Sequence, residues 1–423
     1  MCHLRILHIV SIVAPRYGGA GISSQSIARY QAKAGHAVTL WTTNADYPKG
    51  YLSVPSERAV IDNDLVKRHF PVQFRPLLIS LPLRTWLKHH IRSFDIVHIH
   101  GLYRFPVSYA AWKARHAGVP YIIAPHGSLD PFLYRQSRYG ASAMPLKRIY
   151  ERLFDFPNLN HAAAIQYTSE EEAKRAAFLG LRAKPVIVPN GIAWESYENL
   201  PAKGSFREKL GIPKQAPLVL FLGRINFVKG LDLLVPAFSQ IAQREPRARL
   251  AIVGPDNDGY GAKVKRWCRD KGVEDKVFFV DHLYPEDVKR AYVDASVFVL
   301  PSYTENFGMA VVEAMACGCP VVISDQVKIW REIQEDGAGL VVCLDPRRIS
   351  DAVCRLLSNK EEAEAMGTQG RRAARMRYAW PRVVVQMTQV YRDIINDATS
   401  WRATVQPPSS SQNEIAGDGY ESD

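Results

Sequence analysis

The 423-residue chain contains no run of about 18 or more uninterrupted apolar residues, so a membrane-spanning helix is not expected. Its six cysteines, Cys2, Cys268, Cys317, Cys319, Cys343 and Cys354, form neither a CxxC pair nor a regular framework. That excludes the common zinc and disulfide scaffolds and suits reduced thiols in a cytoplasm. Cys317 and Cys319 flank Gly318 in an apolar run, where packing explains them better than metal. The opening Leu4-Arg5-Ile6-Leu7-His8-Ile9-Val10 is interrupted by Arg5 and His8, and no small-residue cleavage site follows. It reads as a buried first strand and not as a signal sequence. No internal repeat and no heptad pattern is present. A dinucleotide fingerprint is missing too, because Gly18-Gly19-Ala20-Gly21 lacks the Gly-x-Gly-x-x-Gly spacing and the acid about 20 residues later. A nicotinamide oxidoreductase is therefore a poor reading.

What is present is charge and alternation. The net charge of +12 points to an anionic partner, and its distribution is uneven. From Asp64 to Arg152 there are fourteen Lys and Arg against four acids. No helix-turn-helix, zinc or aromatic-platform motif accompanies that excess, so nucleic acid is not expected as a partner. Short β-rich runs (Leu4–Val10, Ala37–Thr43, Ile96–His100, Tyr121–Ala124, Ala162–Tyr167) alternate with helical ones near Ile22–Ala34 and Val107–His116. The alternation predicts a parallel sheet wrapped by helices. Ser169 and Glu172 make a capping box for a further helix. The pattern restarts after Pro189-Asn190-Gly191, with strands at Leu218–Leu222, Leu250–Val253, Val277–Val280, Val297–Leu300 and Val321–Ser324 and helices near Leu231–Gln243 and from about Phe307. Two doubly wound α/β domains facing across a cleft follow, with boundaries at 1–188, a hinge at 189–204 and a second domain at 205–378. A helix at 379–398 carries the apolar stripe Val384, Met387, Val390, Tyr391 and Ile394 and is expected to dock on the first domain. Residues 399–423 read as a disordered tail.

Four segments carry chemistry. The longest, Pro301-Ser302-Tyr303-Thr304-Glu305-Asn306-Phe307-Gly308-Met309, leaves a strand and enters a helix that brings Glu313 two turns later. Such a strand end is where open α/β sheets place ligands, and the amides of Phe307, Gly308 and Met309 at a helix start suit a diphosphate. The second, Gly223-Arg224-Ile225-Asn226-Phe227-Val228-Lys229-Gly230, supplies a guanidinium and an ammonium that can bracket the charge on a departing diphosphate. The third is the glycine loop at Gly19, which can cradle phosphate, and the fourth is Pro125-His126-Gly127-Ser128 at another strand end. Taken singly, each has a plainer reading: Glu305 as a capping acid, Glu313 as a solvated helix residue, Arg224 and Lys229 as surface charge, His126 as a structural histidine. Asp256-Asn257-Asp258 lies among turn residues and reads as a turn, not as a metal-holding Asp-x-Asp.

As a set, these segments resemble glycosyltransferase family 4, the retaining nucleotide-sugar enzymes of the GT-B fold. The family's Glu-x7-Glu stands as Glu305 and Glu313, and its Gly-Arg-x4-Lys-Gly element as Gly223, Arg224, Lys229 and Gly230. The resemblance covers roughly residues 4 to 395. It implies a transferase that moves a hexose-type sugar without a metal or other cofactor. Arg224, Lys229 and Gly19 would hold the donor diphosphate, and Glu313 the ribose. Glu305 with Phe307, Gly308 and Met309 would hold the sugar, His282 and Leu283 would lie in the nucleobase region, and His126 would sit at the reacting centre with Glu305. Asp281-His282 departs from the Gly common at that place in the family, and Ala193 from the usual Asp. The resemblance implies a nucleotide-diphosphate sugar as donor; the acceptor expected from the basic N-terminal half is a sugar or lipid-linked one in cell-envelope synthesis. A GT-B-fold epimerase acting on the same donors is the competing enzyme reading. The basic, apolar stretch from Phe70 to Lys88 adds an anionic membrane surface as a further expected partner, at the inner face of a membrane; the alternative reading is that its apolar residues are core and its charges a solvated face, since Pro71, Pro76 and Pro82 forbid one continuous helix.

Overall fold

The computed structural model describes residues 3–14, 19–46, 50–62, 64–132, 144–256, 259–398 and 401. Two sheets organise them. The first contains β1 (Arg5–Val10), β2 (Ala37–Thr43), β3 (Ala59–Asp62), β4 (Leu65–Phe70), β5 (Ile96–His100), β6 (Tyr121–Ala124), β7 (Ala164–Tyr167) and β8 (Lys184–Ile187), in the order β3-β4-β2-β1-β5-β6-β7-β8. The second contains β9 (Leu218–Leu222), β10 (Arg249–Val253), β11 (Val277–Val280), β12 (Val297–Leu300), β13 (Val321–Ser324) and β14 (Gly339–Val342), in the order β11-β10-β9-β12-β13-β14. All pairs are parallel except β3 with β4. Strands such as β9 and β12 are buried almost throughout, as continuous apolar runs must be in a parallel sheet covered by helices on both faces. The fold is GT-B, two Rossmann-like sheets with a cleft between them.

Four strands, β3, β4, β8 and β14, were not anticipated. Lys67, Arg68 and His69 hide the period of β4, yet Lys67 pairs with Asp62 at 2.6 Å and the Arg68 guanidinium lies over the Trp86 ring. Its antiparallel partner β3 and the edge strand β14 are four residues each, too short to show a period. The first helix begins at Gly19, earlier than the Ile22 expected, so Gly19 belongs to a helix and not to an open loop. The helix expected from Phe307 begins at Met309.

The Phe70–Lys88 stretch divides. Phe70, Leu78, Leu83 and Leu87 are core, and Ser80 caps the helix Leu81–His90 by accepting from Leu83 N–H. Phe74 and Leu81 remain about half exposed. Four of the ten apolar side chains offered for a membrane surface are thus spent inside the domain, and four more are half-buried.

The helix Trp380–Asn396 packs on the first helix, Gly19–Lys33, where Val383, Val384, Met387 and Tyr391 share a core with Ile27 and Ala28. The chain passes between the sheets around 189–204 and again near 379, and the two passages touch. Ile192 donates to the Tyr378 carbonyl at 2.7 Å and accepts from Trp380 N–H at 3.1 Å. Of the tail read as disordered, Trp401 is an ordered exception, donating its indole N–H to the His161 carbonyl at 3.0 Å. A large ring that finds both a core and an acceptor outweighs the polar residues around it in sequence. The rest of that tail lies outside the described residues.

Candidate active site

In the second sheet the strand order reverses between β9 and β12, and the two motif loops leave those two neighbouring strands. A doubly wound sheet opens a crevice at that reversal. The loops are stitched together there. Tyr303 N–H donates to the Val228 carbonyl at 2.8 Å, and Tyr303 Oη donates to Asp232 at 2.7 Å. Gly230 sits at φ 69, and a Cβ there would collide with the Pro301 carbonyl, so the loops close only around glycine. The result brings Lys229 onto Glu305 as a partly buried ion pair. Arg224 is exposed, and no side-chain partner is seen for it among the described residues.

The backbone of Glu305 is held from the other side. Its N–H donates to Gln326 and its carbonyl accepts from Lys328 N–H, each at 3.2 Å. Gly308, at φ 77, then opens the helix Met309–Ala316, leaving amides free at its start. Phe307 points into the core against Tyr378, so only its backbone can serve the site, and Met309 is half-buried. His282 is exposed and Leu283 half-buried just beyond β11.

Glu313 is partly buried beneath this loop and accepts from Tyr292 Oη at 3.4 Å. Desolvation pushes its carboxyl from the ordinary 4.5 up to about 7. Because the folded value is the higher one, the stability this group contributes is full below about pH 4.5 and is lost as pH rises through about 7. Glu313→Gln is therefore expected to flatten the pH dependence of the urea midpoint between those values. A variant that keeps the wild-type slope would place the effect on another group.

The first domain supplies the facing lip. His126 lies two residues beyond β6 with φ 49, a left-handed conformation that costs a non-glycine residue strain. The next residue, Gly127, donates to Glu172 at 2.9 Å, and a Cβ on it would meet the Asn306 side chain at 2.9 Å. The residue after His126 therefore touches the residue after Glu305. Gly19, by contrast, is exposed at the start of its helix, with nothing packed on it.

Some of the contacts that hold the lips together escaped sequence reasoning. Lys328 reaches from the second domain to Asp130 of the first at 2.9 Å, with both side chains 1% exposed. Arg175 donates to Gln326 and to the Asp325 carbonyl across the same seam. Glu172, expected to complete a capping box, accepts instead from Thr168 N–H and Oγ1 and from Gly127, while Ser169 does cap its helix. Burial raises the Glu172 carboxyl above its ordinary value. No local sequence signal marks a lysine and an aspartate almost 200 positions apart. Asp256 accepts from Gly261 N–H at 3.0 Å; Asn257 and Asp258 lie outside the described residues.

Residues 202–373 match the family described as Glycosyl transferases group 1, and residues 17–195 match Glycosyltransferase Family 4. The chain belongs to the family 4, group 1 glycosyltransferases. Among relatives of this glycosyltransferase, the D-inositol 3-phosphate glycosyltransferase of Kineococcus radiotolerans is 30% identical over 57% of this chain and 60% of its own length. The matched region thus spans less than two thirds of that relative. The GDP-mannose:cellobiosyl-diphosphopolyprenol alpha-mannosyltransferase of Xanthomonas oryzae is 25% identical over 93% of this chain and 97% of its own. Sucrose-phosphate synthase from Thermosynechococcus elongatus shares the glycosyltransferase's fold, with a TM-score of 0.74 at 22% identity over 93% and 99% of the two chains. No helix of the glycosyltransferase among the described residues is long and apolar enough to cross a membrane.

Proposed function

We propose that this enzyme transfers a hexose-type sugar, with retention of anomeric configuration, from a nucleoside-diphosphate sugar to an envelope-type acceptor. The observation that carries the reading is the pairing of Lys229 with Glu305 at the sheet's reversal, one residue from contact with the His126 loop. In this reading the diphosphate lies against Arg224, Lys229 and the free amides at Met309, with the Gly19 end of the first helix facing it. Lys229 then turns from Glu305 to the phosphate, and Glu305 turns to the sugar hydroxyls. Glu313 takes the ribose hydroxyls, and His282 and Leu283 flank the base. The bond between C1 and the diphosphate oxygen breaks as the acceptor oxygen bonds C1 on the same face and passes its proton to the departing diphosphate. The two cations, Lys229 partly buried and Arg224 exposed, can together stabilise the departing diphosphate without a metal.

The name of the Xanthomonas relative pairs a nucleotide-sugar donor with a polyprenol-linked acceptor, which supports a lipid-linked acceptor here. So do the exposed Phe74, Leu81, Trp112, Ile149, Leu153 and Phe154, all in the basic N-terminal half. The test is a panel of UDP-, GDP- and ADP-sugars read first by thermal shift, then by NMR of the product with and without vesicles of anionic lipid. One donor should raise the melting temperature, yield a product of unchanged anomeric configuration, and keep its rate in EDTA. Inversion, loss of rate restored by Mg²⁺, or release of an epimerised sugar without acceptor would each reject the mechanism. Equal binding to anionic and neutral vesicles at low salt would reject the membrane acceptor alone.

A further inference from the structure

Behind His126 the first sheet buries polar side chains that the diphosphate site does not use. His8 on β1 and His98 and His100 on β5 are buried, with ring centroids 4.2 to 5.2 Å apart. Burial lowers His8 and His126 to about 4, and His98 and His100 well below the ordinary histidine value. Each imidazole is therefore neutral, with one N–H donor and one lone pair.

The direction of the hydrogen bonds follows from the side-chain amides. The Val188 carbonyl only accepts, so Gln166 Nε2, 2.9 Å away, donates to it and Gln166 Oε1 faces elsewhere. That oxygen and His98 Nε2 are both buried, and neither has a hydrogen-bond partner in ordinary geometry. The Gln31 amide sets the direction, with Oε1 against His8 Nε2 and Nε2 against Tyr391 Oη, so the Tyr391 hydroxyl keeps its own proton to donate and His98 carries its proton on Nε2. His98 Nδ1 is then a lone pair, and the Tyr391 hydroxyl donates to it at 2.6 Å. Tyr391 Oη in turn accepts from Gln31 Nε2 at 3.2 Å, which directs Gln31 Oε1 to His8 Nε2 at 2.7 Å. His8 donates from Nε2, so its Nδ1 accepts from His100 Nε2 at 2.9 Å, and His100 Nδ1 accepts from His126 Nε2 at 3.1 Å. The lone pairs of His8, His98 and His100 are all taken, so this trio, with ring nitrogens within 4.8 Å, is a hydrogen-bond junction and not a cation site. His126 is left with its proton on Nε2. Its Nδ1 has no protein partner among the described residues and is not enclosed.

We propose that this chain locks the tautomer of His126, presenting Nδ1 as an acceptor in the cleft, so that the bound sugar must offer a hydroxyl donor there. Tyr391, Gln31, His98, His8 and His100 are positioning residues acting through His126. An acceptor-only substituent at that sugar position, such as fluorine, would face a lone pair and be rejected. The ownership of the hydroxyl rests on the sugar-transfer reading; the lock does not.

Full-length protein labelled with ¹⁵N-histidine tests it by two-bond ¹H–¹⁵N correlation, with His126→Gln used only to assign the signal. Wild-type His126 should be a single Nε2–H tautomer at neutral pH. Tyr391→Phe, which deletes one hydroxyl without changing charge, and Gln31→Met, which breaks the chain at a second point, should each convert that signal to a tautomer mixture. In both variants kcat should fall while the donor KM holds, a split that general loss of fold would not give. A wild-type His126 that is Nδ1–H or protonated overturns the lock, and so does an unchanged tautomer in both folded variants. A tautomer response with an unchanged transfer rate leaves the lock standing and overturns its use by the sugar.

Discussion

Lys229→Ala is expected to lower kcat/KM by about 10²–10³-fold, the cost of deleting one charged donor at a leaving group, roughly 2.7–4 kcal/mol. The ion pair with Glu305 makes the expectation specific. Removing the ammonium also leaves Glu305 without its cation, so the loss should exceed that of Arg224→Ala, whose side chain is exposed. Glu305→Gln should keep the fold and lose most turnover, since the amide carries no charge to offer a developing oxocarbenium ion. Steady-state kinetics on the three variants check this. Near-wild-type kcat in both Lys229→Ala and Arg224→Ala would rule out the diphosphate site.

Lys328→Met should be the most destabilising single change, by about 3–5 kcal/mol, because it strands a buried carboxylate. Lys328 and Asp130 are each 1% exposed, and Glu172 lies close enough for the same ammonium to favour its charge. The remedy separates charge from packing. Combining Lys328→Met with Asp130→Leu should recover much of the loss, since an apolar pair in place of a buried ion pair is often neutral. Urea unfolding followed by fluorescence measures both. A double variant no better than the single one would show that Lys328 acts by shape alone.

The parts of the fold legible in sequence were those with local causes. β9 and β12 are apolar runs bounded by turns, and the loops after them hold glycines that only a close approach explains, as Gly230 against Pro301 shows. The meeting of Lys229 with Glu305 could be anticipated for the same reason, because loops leaving neighbouring strands at a sheet reversal converge. What was illegible depends on distant partners. Lys67 looks like solvent-facing charge until Asp62 stands beside it, and the Phe70–Lys88 stretch looks amphipathic until Leu83 and Leu87 are seen in the core. His98 and His100 alternate inside an otherwise apolar strand, a sign of a buried polar cluster that the sequence did carry. Their partners His8, Gln31 and Tyr391 come from three other elements, and only the fold joins them.

Ile192 is hydrogen-bonded to both Tyr378 and Trp380, so the two strands of chain that join the halves run side by side. Crossings far apart would pin the halves at two points; crossings at one place leave one half free to turn about an axis through that place. Travel grows with distance from that axis. A turn about that axis would part Asn306 from Gly127, and the reverse turn would return the two loops to the same register.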